Sequence, residues 1–177
     1  SIILVPEISL TSQLIQQFQF YFPNSVITIH SKQTEATRHQ IWQYIAKSTD
    51  PLIIIGPRSA LFSPVSNLGL IIIDEAHDPA YYQDNPPRYS TLRLASFIAN
   101  TKNIDCIYGT ATPLIEDFYL AQKNHAYVSL SQKAKETAIT PDLHLIDLRD
   151  SSSFSKNRYF SDPLIKNITQ NLEQHQQ

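Results

Sequence analysis

An α/β domain, with a doubly wound and mostly parallel sheet between two layers of helices, is predicted by two features of the sequence. Short aliphatic runs recur, at Ile2–Val5, Val26–Ile29, Leu52–Ile55, Leu70–Ile73, Ile104–Tyr108, Tyr127–Leu130 and Leu143–Leu148. The first five are nearly continuous rather than alternating, as strands covered on both faces require. Segments of helical spacing lie between them, and that strand–helix rhythm builds parallel sheets.

Leu14, Ile15, Phe18 and Phe22 share one helical face behind a cap at Thr11 or Ser12. Arg38 to Ala46 offers Ile41, Trp42 and Ile45, and Leu92 to Ala99 and Leu114 to Ala121 follow the same spacing. Lys133 to Pro141 is polar and reads as a linker, Leu143–Leu148 as a strand, and Ser151 to Ser153 as an exposed loop. Ser161-Asp162-Pro163 opens a last helix, with serine as cap and proline in the first turn. The expected division is 1–130 as the main lobe and 131–177 as linker, strand and helix. The chain opens inside a strand and stops in a helix without a glycine cap, so a piece of a longer protein is expected.

The bulk numbers exclude several classes. A net charge of −2 gives no overall pull toward nucleic acid, so any DNA contact must come from local groups. The single cysteine, Cys106, allows no disulfide framework within one chain and suits a reducing cytoplasm. No run of about 18 apolar residues appears, so no membrane span is expected.

The chemistry concentrates in Leu70-Ile71-Ile72-Ile73-Asp74-Glu75-Ala76-His77. Four aliphatic residues before an acidic pair form a Walker B arrangement, which places carboxylates at the sheet's carboxyl edge, where open α/β folds bind ligands. Asp74 would hold Mg²⁺ through water, because Mg²⁺ keeps much of its hydration shell. Glu75 would orient or deprotonate the water that attacks the γ-phosphate of ATP. His77 is placed to relay the nucleotide state. The alternative is a strand ending in a solvated acidic turn.

Gly109-Thr110-Ala111-Thr112-Pro113 follows the next strand. Gly109 suits a tight turn and Pro113 a first helical turn, and Thr110 and Thr112 carry hydroxyls for coupling the acidic site to DNA; a plain capping turn is the alternative. Glu7 and Thr11 sit where a strand runs into a helix whose free amides suit a phosphate. Arg58 and Ser59 follow another strand as candidate phosphate contacts. Tyr81 and Tyr89, with Arg88 nearby, offer aromatic faces on which bases stack; packing of a long loop is the other reading. With three glycines in all, the chain has no Gly-x-x-x-x-Gly-Lys-Ser/Thr loop to cradle phosphates.

On these residues the sequence resembles the primosomal replication-restart DNA helicases of superfamily 2. Leu4–Thr11 resembles their motif Ia, and His30-Ser31, Arg38 and Trp42 keep their spacing. Gly56-Pro57-Arg58-Ser59-Ala60 is similar to their Gly-Thr-Arg-Ser-Ala block, with Pro57 for threonine. Asn67–Asp78 resembles motif II with Ala76 in place of a second glutamate, Tyr81 to Tyr89 an aromatic-rich loop, and Gly109–Pro113 motif III. Tyr82, Ser90, Leu92 and Arg93 depart from the family pattern.

The resemblance implies a RecA-like first helicase lobe, incomplete upstream, of an ATP-dependent 3′–5′ helicase in the cytoplasm. It implies Asp74 and Glu75 as catalytic residues, with His77, Thr110, Ala111 and Thr112 coupling ATP to DNA. DNA contacts would fall to Glu7, Thr11, Arg58, Ser59, Tyr81, Arg88 and Tyr89. The implied partners are single-stranded and forked DNA, the primosome and single-strand-binding proteins. The family's zinc module matches nothing in this sequence, and the isolated chain is expected not to hydrolyse ATP. A degenerate lobe that binds single-stranded nucleic acid without hydrolysis, and a plain structural α/β domain, are the competing readings.

Overall fold

A computed structural model describes residues 1–6, 12–132 and 142–174. Glu7, Thr11 and the Lys133–Pro141 linker lie outside the described residues. The chain divides into two compact units, Ser1–Val128 and Ser129–Gln177.

The first unit is built on five parallel strands: β1 (Ile2–Leu4), β2 (Val26–Thr28), β3 (Ile53–Gly56), β4 (Leu70–Ile73) and β7 (Asp105–Tyr108). Their spatial order is β2-β3-β1-β4-β7, and each comes from one of the first five aliphatic runs. β1 is central, with Ile3 level with Ile55 on one side and Ile72 on the other. The chain leaves β1 toward β2 but leaves β4 toward β7, so β1 and β4 flank the point where the winding reverses. In open α/β sheets, ligands bind in the crevice at that point.

Alternation along each strand separates two layers of helix. Ile2, Leu4, Ile54, Ile71 and Ile73 face one side, where they meet Ile45 of α2 (Glu35–Lys47) and Leu92, Ala95 and Ala99 of α3 (Thr91–Lys102). Ile3, Val5 and Ile55 face the other, against Leu14 and Phe18 of α1 (Ser12–Tyr21). The predicted doubly wound architecture with helices on both faces is therefore the observed one. Trp42 lies off the buried stripe of α2 and is half exposed, while Ile45, one turn on, is the residue that reaches the core.

Helix starts follow local chemistry. Thr34 caps α2 and Ser90 caps α3, each accepting from an amide three residues on. Pro113 precedes α4 (Ile115–Lys123) by two positions rather than sitting in its first turn, because Leu114 takes the cap position in extended backbone. A small antiparallel ribbon, β5 (Tyr82–Gln83) with β6 (Tyr89–Ser90), projects between β4 and α3, where the sequence suggested only a loop.

Two expected strands are absent. Tyr127–Leu130 and Leu143–Leu148 carry no strand, and Leu143 and Leu145 are almost fully exposed. An aliphatic run becomes a strand only where a neighbouring edge accepts its backbone hydrogen bonds, and none of the described residues pairs with either run. In the second unit, α5 (Asp162–Glu173) begins as expected: Ser161 accepts from the Leu164 amide, and Pro163 lies in the first turn. The Asp162 carboxylate accepts from the hydroxyl and amide of Ser155 and the amide of Lys156, which holds its pKa below the ordinary carboxylate value, chiefly through the Ser155 hydroxyl. Among the described residues no helix is long and apolar enough to cross a membrane.

Gly56 closes β3 under tight constraint, since an added Cβ would lie 2.7 Å from the Ile29 carbonyl oxygen and 3.0 Å from Ala60 Cβ. Gly69 has nothing within 4 Å of that position. Gly56→Ala is therefore expected to cost about 1–3 kcal/mol, as overpacking does. Gly69→Ala should be neutral or stabilise by a few tenths, up to about 1 kcal/mol. Denaturant midpoints of the two variants test the pair, and equal midpoints would contradict the crowding at Gly56.

Candidate nucleotide-site residues at the carboxyl rim

The site is assembled by main-chain bonds that carry the sheet pattern one residue past the strand ends. The Asp74 amide donates to the Leu4 carbonyl at 2.9 Å, the Gly109 amide to the Ile73 carbonyl at 2.8 Å, and the Ala76 amide to the Gly109 carbonyl at 2.9 Å. Asp74 and Gly109 thus stand side by side at the rim. A Cβ on Gly109 would come within 3.3 Å of Asp74 Oδ1. Its φ is not positive, so the feature that favours glycine here is the close approach to the Asp74 carboxylate, which an added Cβ would push aside by a few tenths of an ångström.

Asp74 and Glu75 are both exposed at this rim. Glu75 has φ of +48°, in the left-handed region that costs an L residue about 1–2 kcal/mol. Its amide donates to Asp74 Oδ1 at 3.0 Å, and its carbonyl accepts the Asp78 amide at 2.8 Å, which closes the turn. His77 Nδ1 lies 2.8 Å from Thr110 Oγ1 and 3.5 Å from Glu75 Oε2. Thr110 Oγ1 also accepts from the Thr112 amide at 3.1 Å, which ties the hydroxyl to both His77 and its own loop. The acidic turn and the Gly109–Thr112 loop are therefore one hydrogen-bonded unit, while Ala111 and Thr112 are exposed beside it.

Other candidate residues fall differently. Tyr81 is 1% exposed, so it offers no face to a base; its hydroxyl donates to the Asp74 carbonyl at 2.7 Å. The expectation that it stacks on DNA is corrected in favour of packing. Burial, with Asp74, Asp78 and Glu75 close by, raises its phenol far above the usual range, so it stays a donor. Arg58 is committed largely within the chain, its Nη1 donating to the carbonyls of Ala80 at 2.7 Å and Tyr82 at 3.2 Å. Arg58 thus has a structural role within the chain beside the phosphate contact expected of it. Tyr89 is half buried and meets Phe62 edge to face, with ring centroids 5.5 Å apart. Arg88 is exposed with Nε on the Asp84 carbonyl, and Ser59 is exposed. Glu7 and Thr11 lie outside the described residues.

Asp78 was not singled out from sequence. Its carboxylate accepts from the Ala80 amide at 2.7 Å and starts a 3-10 turn over Pro79–Tyr81. Asp followed by Pro is a turn-opening signature that could have revealed it; nothing in the sequence shows that Tyr81 then turns inward. A hollow of about 540 Å³, lined in part by Ser1, Ile3, Phe18, Asn67 and Ile72, lies at the opposite, amino-terminal rim and has no share in this chemistry.

A carboxylate pair at the winding reversal, linked through Ala76 and His77 to a glycine-hydroxyl loop on the next strand, sits in an α/β lobe of the RecA-like helicase kind. The match to known families agrees, because residues 1–118 fit the DEAD/DEAH box helicase model. The chain belongs to that family. Within it the sequence is PriA-like along essentially its whole length. It is 39% identical to replication restart protein PriA of Chlamydia trachomatis over 97% of the chain and 23% of that protein. The Haemophilus influenzae PriA is 36% identical over 99% of the chain and 24% of its own length, and the Bacillus subtilis PriA 33% over 100% and 22%. The chain spans about a quarter of the length of these relatives.

Arg58→Ala is expected to loosen the turn and ribbon that its guanidinium braces, at about 1 kcal/mol, the usual net worth of a hydrogen bond. Amide exchange at Tyr81 and Tyr82 should accelerate while that at Ile71 in the central sheet stays unchanged. Unaltered exchange at Tyr81 and Tyr82 would show that the brace carries no load.

Proposed function

We propose that this chain supplies the Walker B and DNA-coupling part of an ATP-dependent DNA helicase acting in replication restart. One observation carries the reading: Asp74 and Glu75 project at the reversal point of the sheet and are bonded through His77 and Gly109 to the loop at Thr110–Thr112. Such a unit can sense a nucleotide on one side and move a loop on the other.

The residues fit a hydrated Mg²⁺. No cluster of three or more His, Cys, Asp or Glu side chains is placed to cage a metal among the described residues, whereas exposed Asp74 suits an ion held through water. When bound, Mg²⁺ would neutralise charge on the β- and γ-phosphates. Glu75 would orient the attacking water and accept its proton, and His77 would pass the change at Glu75 to Thr110. Phosphate-cradling residues must come from outside this sequence, so the isolated chain is proposed to be inactive.

Single-stranded or forked DNA would run over the same rim and the ribbon. Ser59, Arg88 and the accessible part of Tyr89 are the candidate contacts, with Thr112 at the coupling loop. A 3′–5′ polarity, the primosome and single-strand-binding proteins enter through the PriA-like sequence, as does a cytoplasmic site of action.

The test is Glu75→Gln in the intact gene product. Loss of a general base costs about a hundredfold or more, so ATP turnover and unwinding should collapse while ATP binding, measured by fluorescent-nucleotide titration, persists. Undiminished turnover would remove Glu75 from catalysis. A wild-type protein that binds single-stranded DNA but never hydrolyses ATP would establish the non-hydrolysing module instead.

A further inference from the structure

Tyr81 is the bulkiest fully buried side chain among the described residues, yet the reaction outlined above gives it no task. Its hydroxyl donates to the carbonyl oxygen of Asp74 at 2.7 Å. That oxygen belongs to the peptide joining Asp74 to Glu75. The nitrogen of the same peptide donates to Asp74 Oδ1 at 3.0 Å. The peptide from which both carboxylates project is thus held at its two polar atoms, by Tyr81 on one side and by the Asp74 carboxylate on the other. Glu75 leaves it with φ of +48°, a conformation that persists in an L residue only when its surroundings fix it.

Tyr81 is itself delivered from a rigid frame. Asp78 Oδ1 holds the Ala80 amide at 2.7 Å, and Arg58 Nη1 holds the Ala80 carbonyl at 2.7 Å and that of Tyr82 at 3.2 Å. A residue needed only to fill space would be served as well by phenylalanine; a buried phenol aimed at this one carbonyl has a positional use.

We propose that Tyr81 is a positioning residue for the acidic pair, its hydroxyl fixing the plane of the Asp74–Glu75 peptide so that Asp74 meets the hydrated metal and Glu75 the water. The proposal rests on the reading of this pair as the ATP-hydrolysing one. It concerns orientation of the pair, not contact with nucleotide or DNA.

The experiment compares Tyr81→Phe with Glu75→Gln in the intact gene product, each assayed about 10 °C below its own melting midpoint so that both are folded. Tyr81→Phe keeps the ring and deletes the donor. It is expected to lower kcat for ATP hydrolysis about tenfold, as small misplacements of reacting groups do. KM for ATP should stay within about twofold, and the Mg²⁺ concentration for half-maximal rate should rise about threefold or more. Installing 4-aminophenylalanine at position 81, which restores ring and donor together, should recover most of the rate.

Wild-type kcat and Mg²⁺ dependence in Tyr81→Phe, beside an inactive Glu75→Gln, would overturn the positioning role and leave the hydrolytic reading standing. Full activity in both variants would remove the hydrolytic reading itself. A Tyr81→Phe protein with no cooperative melting transition, or one whose KM rises in step with its loss of kcat, would assign the hydroxyl to the fold alone and also overturn the proposal.

Discussion

The structure depends on the register of a parallel ladder. Leu4, Ile73 and Tyr108 lie level on three adjacent strands, so the three chains reach the rim together. Main-chain bonds from Asp74 to Leu4 and from Gly109 to Ile73 extend that alignment by one more residue. A slip of one position on β4 would send Ile71 and Ile73 out of the α2–α3 layer and Ile72 into it. Burial of those isoleucines therefore also sets where the carboxylates stand.

Two tyrosines secure this arrangement on either side. Tyr81 ties the acidic turn to its own carbonyl. Tyr108, at the end of β7, donates to the Leu92 carbonyl at 2.8 Å and lies 2.5 Å from Ser96 Oγ, fastening β7 to α3 just before Gly109. Burial raises both phenols well above their usual range, so each remains a protonated donor. The loop from Gly109 to Thr112 is thus held by the ladder and by His77 at its start, while Ala111 and Thr112 remain exposed. A fixed base and a free tip suit a part that must report one event to a neighbouring surface.

Much of the fold was legible because it follows from periodicity. Continuous aliphatic runs gave five parallel strands, buried in β1 and most of β3 but partly exposed in β2 and β7 at the edges, and helical spacing placed α1 to α5 within a few residues. Leu143–Leu148 is also rich in aliphatic residues but has no partner edge among the described residues, and composition carries no record of partners. The acidic pair was legible because strand and carboxylates are contiguous in sequence. The roles of Arg58 and Tyr81 were not, since an arginine after a strand and a tyrosine in a polar stretch look the same whether they face solvent or bind a carbonyl more than twenty or only seven residues away. The β5–β6 ribbon was hidden for a related reason: two-residue strands leave no periodic trace.

The left-handed backbone at Glu75 has an evolutionary corollary. Side chains branched at Cβ clash in that conformation, whereas asparagine, aspartate and glycine enter it most readily. Genetic drift at this position is thereby channelled. A descendant lineage released from selection for hydrolysis would accumulate small amides or glycine there, and would exclude valine, isoleucine and threonine for as long as the turn itself survived. The backbone would go on filtering substitutions after the chemistry had gone, leaving in the residue spectrum of such descendants a fossil imprint of the turn.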